Sequence, residues 1–353
     1  MQKNLVVLYT RMPRYFFECL TYFVRSNPNY SVFCLCNKPS EDAPFSLSNE
    51  EISIEFLETL DRSVGEWVDD KSPSLIFAAG WTNSDYLSVC KRFVRQIPVI
   101  VGMDNLWNGA LKQRVFCLFS RFFLKKYFNH IWVPGSKHER YARKLGFSAN
   151  AIRRGLYSCE SIYTLDEDEI KNSSNEYKEV LFVGRFVDYK RPRLLAETFM
   201  ELIKEPEFKD WRLKMIGNGP LKNSLMQMAD ETKGFISVFD FQQSTDLKTS
   251  FARASVFCLP SSNEHWGVVV HEAASMGLPI IISDSCGSYP DLLEDGLNGL
   301  VFRDKDELDF KKKLRKMLSM SEADLSRMSK NSKAIAQSIS VENWNKTMLG
   351  FLR

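Results

Sequence analysis

Short, continuous apolar runs recur along this chain, each followed by a segment with helical spacing, and the pattern occurs twice. In the first half the runs are "LVVL" (5–8), "SVFCLC" (31–36), "SLIFAA" (74–79), "PVIVG" (98–102) and "HIWVP" (130–134). Between them the spacing predicts helices from Tyr15 to Arg25, Ser84 to Arg95, Leu111 to Phe128 and Lys137 to Leu145. Strands apolar on both faces and separated by helices imply βαβ units, hence a parallel sheet covered on both sides. Residues 158–178, "SCESIYTLDEDEIKNSSNEYK", break the pattern with a polar, acidic stretch that reads as a linker. The alternation then restarts with "EVLFVG" (179–184), "RLKMIG" (212–217), "ISVFDF" (236–241), "SVFCLP" (255–260) and "PIIIS" (279–283).

A length of 353 residues exceeds what one core usually serves. The expected organisation is a first Rossmann-like domain at 1–157, a linker at 158–178 and a second such domain at 179–338. A final amphipathic helix at 339–353 is expected to pack back toward the first domain. Two doubly wound domains would face across a cleft, with ligands beyond the carboxyl ends of the strands.

Composition excludes several classes. No apolar run approaches the roughly 18 residues of a spanning helix, and the N-terminus lacks the apolar core of a signal peptide. Eight Cys are dispersed without a C-x-x-C pair, which predicts a reduced, cytoplasmic protein without structural zinc. Net charge is +3 but uneven: residues 86–154 hold 14 Lys/Arg against 2 Asp/Glu. No nucleic-acid-binding motif is present.

Three loops after second-half strands could carry chemistry. "GRFVDYKRP" places Gly184, Arg185, Lys190 and Arg191 between a strand and a helix opened by Pro192, a layout suited to an anion or to a plain solvated loop. "GNGP" holds Gly217 and Gly219, a weak signal without the Lys-Ser/Thr of a P-loop. "SSNEHWGVVVHEAASMGLP" sets Glu264 in a loop and Glu272 inside a helix. Between them lie His265 and the backbone amides of Trp266, Gly267 and Val268. Carboxylates accept hydrogen bonds from sugar diols and amides bind phosphate, so this order matches a nucleoside diphosphate sugar. Spacing alone favours two unrelated glutamates, one in a solvated loop and one on a helix.

Residues 179–303 resemble the donor-site region of glycosyltransferase family 4, retaining enzymes of the GT-B fold. The resemblance puts the family's E-x7-E motif on Glu264 and Glu272, its Arg and Lys on Arg185 and Lys190, and its glycine turn on Gly217 and Gly219. It implies that Glu264 contacts the donor sugar, Glu272 holds the ribose, Arg185 and Lys190 bind the diphosphate with the 266–268 backbone, and the base lies near Phe239 to Gln242, with Phe241 and Gln242 beside it. It further implies metal-independent transfer with retention, no cofactor beyond the nucleotide-sugar donor, and a glycan or lipid-linked glycan acceptor of bacterial surface polysaccharide synthesis. Two departures stand out: "YTRMPRYFFE" after the first strand has no Gly, only Arg11 and Arg14. "VIVGMDNLWNG" offers Asp104 where the family often has a His. "DED" at 166–168 imitates a metal-binding motif but sits in the linker. The alternative readings are a nucleotide-sugar epimerase and a non-catalytic nucleotide-sugar-binding subunit.

"ALKQRVFCLFSRFFLKKYFNHIW" (110–132) mixes Lys112, Arg114, Arg121, Lys125 and Lys126 with Phe116, Leu118, Phe119, Phe122, Phe123 and Phe128. An ordinary packed helix is one reading. The other is a helix dipping into an anionic membrane surface, giving peripheral attachment at the inner face of the plasma membrane.

Overall fold

The computed structural model describes residues 2–38, 50–159, 177–242 and 244–352. The chain divides into two compact units, 1–160 with 339–353 and 161–338.

The first unit is built from β1 (Lys3–Leu8), α1 (Arg14–Ser26), β2 (Tyr30–Cys36), β3 (Ile52–Phe56), α2 (Val64–Lys71), β4 (Leu75–Ala79), α3 (Ser84–Phe93), β5 (Val99–Gly102), α4 (Leu111–Leu124), β6 (His130–Val133), α5 (Ser136–Lys144) and β7 (Ile152–Arg154). Its seven strands pair in parallel in the order β3-β2-β1-β4-β5-β6-β7. Leu5 to Leu8 are fully buried, as a central strand covered on both faces requires. Local chemistry fixes the helix starts: Ser63 and Glu66 form a reciprocal capping box at α2, and the Asn83 side chain accepts from the amides of Asp85 and Tyr86 at α3.

The second unit contains β8 (Lys178–Val183), α6 (Pro192–Leu202), β9 (Trp211–Ile216), α7 (Lys222–Glu231), β10 (Ile236–Phe239), α8 (Ser244–Arg253), β11 (Val256–Leu259), α9 (Val268–Ser275), β12 (Ile280–Ser283), β13 (Gly299–Phe302), α10 (Glu307–Leu318) and α11 (Glu322–Ala336). Its sheet is also parallel, in the order β10-β9-β8-β11-β12-β13. The chain steps from β8 outward to β9 and β10, then returns to place β11 on the other side of β8. This reversal puts a topological switch point between β8 and β11.

The last helix, α12 (Val341–Gly350), belongs to the first unit. Its Trp344 indole N–H donates to the Leu156 carbonyl at 3.0 Å, and the ring packs on Trp132 and edge-on to Phe16. Asn27 Nδ2 also donates to Asn345 Oδ1 at 2.8 Å.

The α/β class with two parallel-sheet Rossmann-like units is the one the sequence predicts. Three expectations change in detail. β3, α2, β7 and β13 were not among the predicted elements. No helix follows β12, because "SDSCGSYPDLLEDG" interrupts any helical run with Gly and Pro. The α4 region ends its helix at Leu124 rather than Phe128. The linker lies largely outside the described residues, and so does the "DED" at 166–168.

Cys34 and Cys36, the two thiols on β2, are buried. Among the described residues no group of three or more His, Cys, Asp or Glu is placed to share a metal ion, and no helix is long and apolar enough to cross a membrane.

Candidate active site

The loops after β8, β11 and β12 are tied together at the switch point of the second sheet. Lys190 Nζ contacts Glu264 Oε2 in an ion pair, with both side chains 11% exposed. Ser261 Oγ donates to the same carboxylate oxygen at 3.1 Å. One residue on, the Ser262 amide and hydroxyl both donate to the Tyr189 carbonyl, at 2.7 and 3.2 Å. From the β12 loop the Gly287 amide donates to the Glu264 carbonyl at 2.9 Å, and the Ser288 amide to the Trp266 carbonyl at 3.1 Å. Ser283 Oγ donates to the Ser261 carbonyl. Glu264 is therefore held through both side chain and backbone. It is not a solvated loop carboxylate.

Two helix starts flank this pair. α9 begins after Gly267, whose φ of +82° is left-handed and which supplies no side-chain cap. A Cβ there would stand 3.0 Å from Glu264 Cγ, so glycine at 267 also makes room for the paired carboxylate. α6 begins at Pro192 after Arg191, again with no side-chain cap. Uncapped first-turn amides, with the partial positive charge of the helix start, favour an anion beside them. Glu272 is half-buried within α9, near the middle of the helix.

Not every expected cation points the same way. Arg185 is exposed, whereas the Arg191 guanidinium pairs with Asp304 at 3.1 Å, in the loop after β13. Arg191 therefore ties that loop to the start of α6.

The glycine turn has a packing explanation. A Cβ on Gly217 would lie 2.0 Å from the Gly184 carbonyl oxygen, and one on Gly219 2.6 Å from that of Phe186. The turn thus lets the loops after β8 and β9 touch backbone to backbone, with Phe186 N–H donating to Asn218 O at 2.8 Å. Gly184 itself meets only ordinary contacts.

At the end of β10 Phe239 is nearly half-exposed, and just beyond the strand Phe241 is exposed. Gln242 Oε1 accepts from Ser250 Oγ at 2.9 Å, and Ser250 Oγ accepts from Lys214 Nζ at 3.0 Å. Lys214 lies over the Phe239 ring at 5.1 Å, and burial pulls its pKa down. His265 is exposed in the β11 loop, while the Trp266 ring is buried, so at 266 only the backbone borders the helix start. Val268 is half-buried. His271 is fully buried on the far side of α9; its Nε2–H donates to the Ala336 carbonyl at 3.3 Å, and burial lowers its pKa to about 4.

In the first unit, Asp104 follows β5 and accepts from the Tyr157 hydroxyl at 3.1 Å. Burial drives the phenol pKa of Tyr157 well up, with Tyr9, Tyr15 and Asp104 adding to the rise, so Tyr157 stays a neutral donor. Asp104 is thus oriented by a buried tyrosine, a partner no local sequence signal announces. Arg14 pairs with Glu18 on its own helix at 3.5 Å, and Arg11 is exposed.

The second unit that carries this arrangement is similar in sequence to a known family. Residues 165–335 match the family "Glycosyl transferases group 1". The group 1 region thus spans almost the whole second unit. A curated "Uncharacterized glycosyltransferase" of Haemophilus influenzae is 28% identical over 177 residues, covering 50% of this chain and 49% of that protein. The "O-antigen biosynthesis glycosyltransferase WbnH" of Escherichia coli is 26% identical over 216 residues, covering 61% of this chain and 58% of that one. The matches thus span about half the length of these relatives. Beyond the group 1 region, the likeness extends to the whole fold. The crystal structure of HepE from Anabaena, in complex with UDP, superposes with a TM-score of 0.77 at 14% identity, covering 99% of both chains.

Proposed function

We propose that this protein is a retaining, metal-independent glycosyltransferase that moves a sugar from a nucleoside diphosphate donor to a glycan or lipid-linked glycan of bacterial surface polysaccharide. The observation that carries the reading is the Lys190–Glu264 pair at the β8/β11 switch point, beside the uncapped starts of α6 and α9. The similarity to an O-antigen glycosyltransferase and to a structure holding UDP supports the substrate class.

In this reading Lys190, Arg185 and the first amides of α9 receive the diphosphate. Glu272 accepts hydrogen bonds from the ribose hydroxyls, and Glu264 from the donor sugar. The exposed Phe241 and the tethered Gln242 border the base. As the glycosidic bond breaks, the sugar gains oxocarbenium character and negative charge grows on the diphosphate. Fixed cations and amides then bind the transition state more tightly than the ground state, and one such donor is typically worth roughly 3–4 kcal/mol. Double displacement would need a carboxylate against the opposite face of the sugar. Glu264 is held by Lys190 and Ser261, so we favour front-face transfer, in which the departing diphosphate takes the acceptor proton. Asp104, fixed by Tyr157, is the group we assign to the sugar-handling side of the first unit. The location is cytoplasmic, peripheral at an anionic membrane.

A panel of UDP-, GDP- and dTDP-sugars, read by thermal shift and by slow hydrolysis, tests the assignment. One donor should both raise the melting temperature and be hydrolysed. Binding without hydrolysis or transfer would point to a nucleotide-sugar-binding subunit. Conversion to an isomeric nucleotide sugar would point to an epimerase.

A further inference from the structure

Helix α4 carries apolar side chains on two opposite faces. The inner face is packed: Ser120 and Leu124 are buried, Ser120 Oγ donates to the Leu145 carbonyl at 3.1 Å, and Phe116 stacks on Trp81 at 6.0 Å between centroids. The outer face holds Leu111, Val115, Leu118, Phe119 and Phe122, exposed by 76, 48, 71, 66 and 71%. These positions follow i, i+4, i+7, i+8 and i+11, so at 3.6 residues per turn they form one stripe about 100° wide. Five large apolar side chains in one continuous stripe are unlike the scattered apolar residues of an ordinary soluble surface.

The cations are placed by the same geometry. Arg114 and Arg121 run along one edge of the stripe, continued by Lys125 at the C-cap; Lys112 borders the other edge, and Lys126 follows the helix end, all exposed. From residue 105 to residue 138 the sequence has no Asp or Glu.

We propose that the outer face of α4 is an in-plane membrane anchor, with its apolar stripe among the acyl chains and its bordering cations at anionic headgroups. Charge decides the occupant. A second copy meeting this face would bring two like-charged borders together, whereas an anionic bilayer offers an apolar interior beneath a negative surface. The proposal gives the membrane location of the suggested transferase a specific surface. Its test needs no sugar transfer, so the two readings can fail separately.

The test is co-sedimentation of the full chain with vesicles of phosphatidylglycerol and phosphatidylcholine, compared with phosphatidylcholine alone. Wild type should pellet with the anionic vesicles and release in high salt, where Debye screening shortens the attraction. Leu118→Ser/Phe119→Ser/Phe122→Ser should weaken partitioning at least ~10-fold, with circular dichroism and melting temperature preserved because these side chains are exposed. Lys112→Gln/Lys125→Gln/Lys126→Gln should weaken binding to anionic vesicles about 100-fold, at roughly five-fold per cation, and remove most of the salt dependence. Wild type remaining in the supernatant at low salt would overturn the proposal. So would an apolar variant that pellets like wild type, or a dimer that the apolar substitutions abolish while vesicle binding is absent.

Discussion

Lys190 and Glu264, 74 positions apart, close an ion pair across the switch point of the second sheet, with Ser261 donating to the same carboxylate oxygen. Neither side chain reaches this position through local structure. Lys190 arrives on the short turn after β8 and Glu264 on the loop before α9, and the Ser262–Tyr189 hydrogen bonds hold the two loops in register. A pair so little exposed costs desolvation, and its geometry must offset that cost. In the proposed function it positions a cation for phosphate and a carboxylate for sugar before the donor binds.

The pair should therefore show strong coupling. Lys190→Met should destabilise the protein by about 3 kcal/mol, because Glu264 keeps its charge and loses its cation. Adding Glu264→Gln should restore part of that loss, a non-additivity readable in a double-mutant cycle by denaturant unfolding. Sugar transfer should stay lost in the double variant. Recovery of stability and transfer together would assign the pair a purely structural role.

Arg185 and Glu272 separate chemistry from folding in another way. Arg185 is exposed, so Arg185→Ala should leave the melting temperature within a degree or so while lowering kcat/KM on the order of 100-fold. Glu272→Ala should mainly raise donor KM, since ribose contacts change little during reaction, and Glu264→Ala should mainly lower kcat. Steady-state kinetics with the matched donor would reveal the reverse pattern if the two glutamates were assigned backwards.

His271 predicts an acid-side loss of stability. Its folded pKa of about 4 lies below the usual histidine value of 6.5. Between those values the unfolded chain binds the proton and the folded one does not, so stability rises with pH through this window. Its contribution is fully present above about pH 6.5 and fades as pH falls toward 4, amounting to on the order of 3 kcal/mol. His271→Gln retains a donor for the Ala336 carbonyl and does not titrate. Melting temperatures from pH 4 to 7 should accordingly be flatter for the variant; an unchanged slope would contradict the assignment.

Gly217→Ala should be costly even though the residue need not touch a ligand. The added methyl would meet the Gly184 carbonyl at 2.0 Å, backbone against backbone. The expected loss is about 2–3 kcal/mol by thermal or denaturant unfolding. Gly65→Ala meets nothing nearer than 3.8 Å in α2 and should be neutral or stabilising by up to about 1 kcal/mol. Equal effects at the two positions would refute the packing explanation of the glycine turn.

How far the sequence revealed this structure depended on burial. β1, β2, β4, β5, β8, β9, β11 and β12 are interior strands, flanked on both sides and covered on both faces, and their unbroken apolar runs made them legible. β3, β7 and β13 stand at sheet edges, as does β10, which its apolar run nonetheless made legible; β13 is buried but only four residues long. A side open to solvent tolerates polar residues and short lengths, so "ISIEF" and "IRR" carried no such signal. At the site, Glu264 and Glu272 were visible as a local pattern. The Lys190 partner was not, since it depends on which strands become neighbours. Tyr157 likewise reaches Asp104 across 53 positions with nothing in its own segment to mark it.

The central claim is that the second unit binds a nucleoside diphosphate through the Lys190 and Arg185 loop. Isothermal titration of UDP, GDP and dTDP into the full chain, in buffer containing EDTA, tests it most directly. The account predicts that at least one diphosphate binds without added metal, and that Arg185→Ala weakens that binding about 10-fold or more at unchanged stability. Absence of binding for all three nucleotides at millimolar concentration, or binding that appears only when Mg²⁺ or Mn²⁺ is restored, would contradict it.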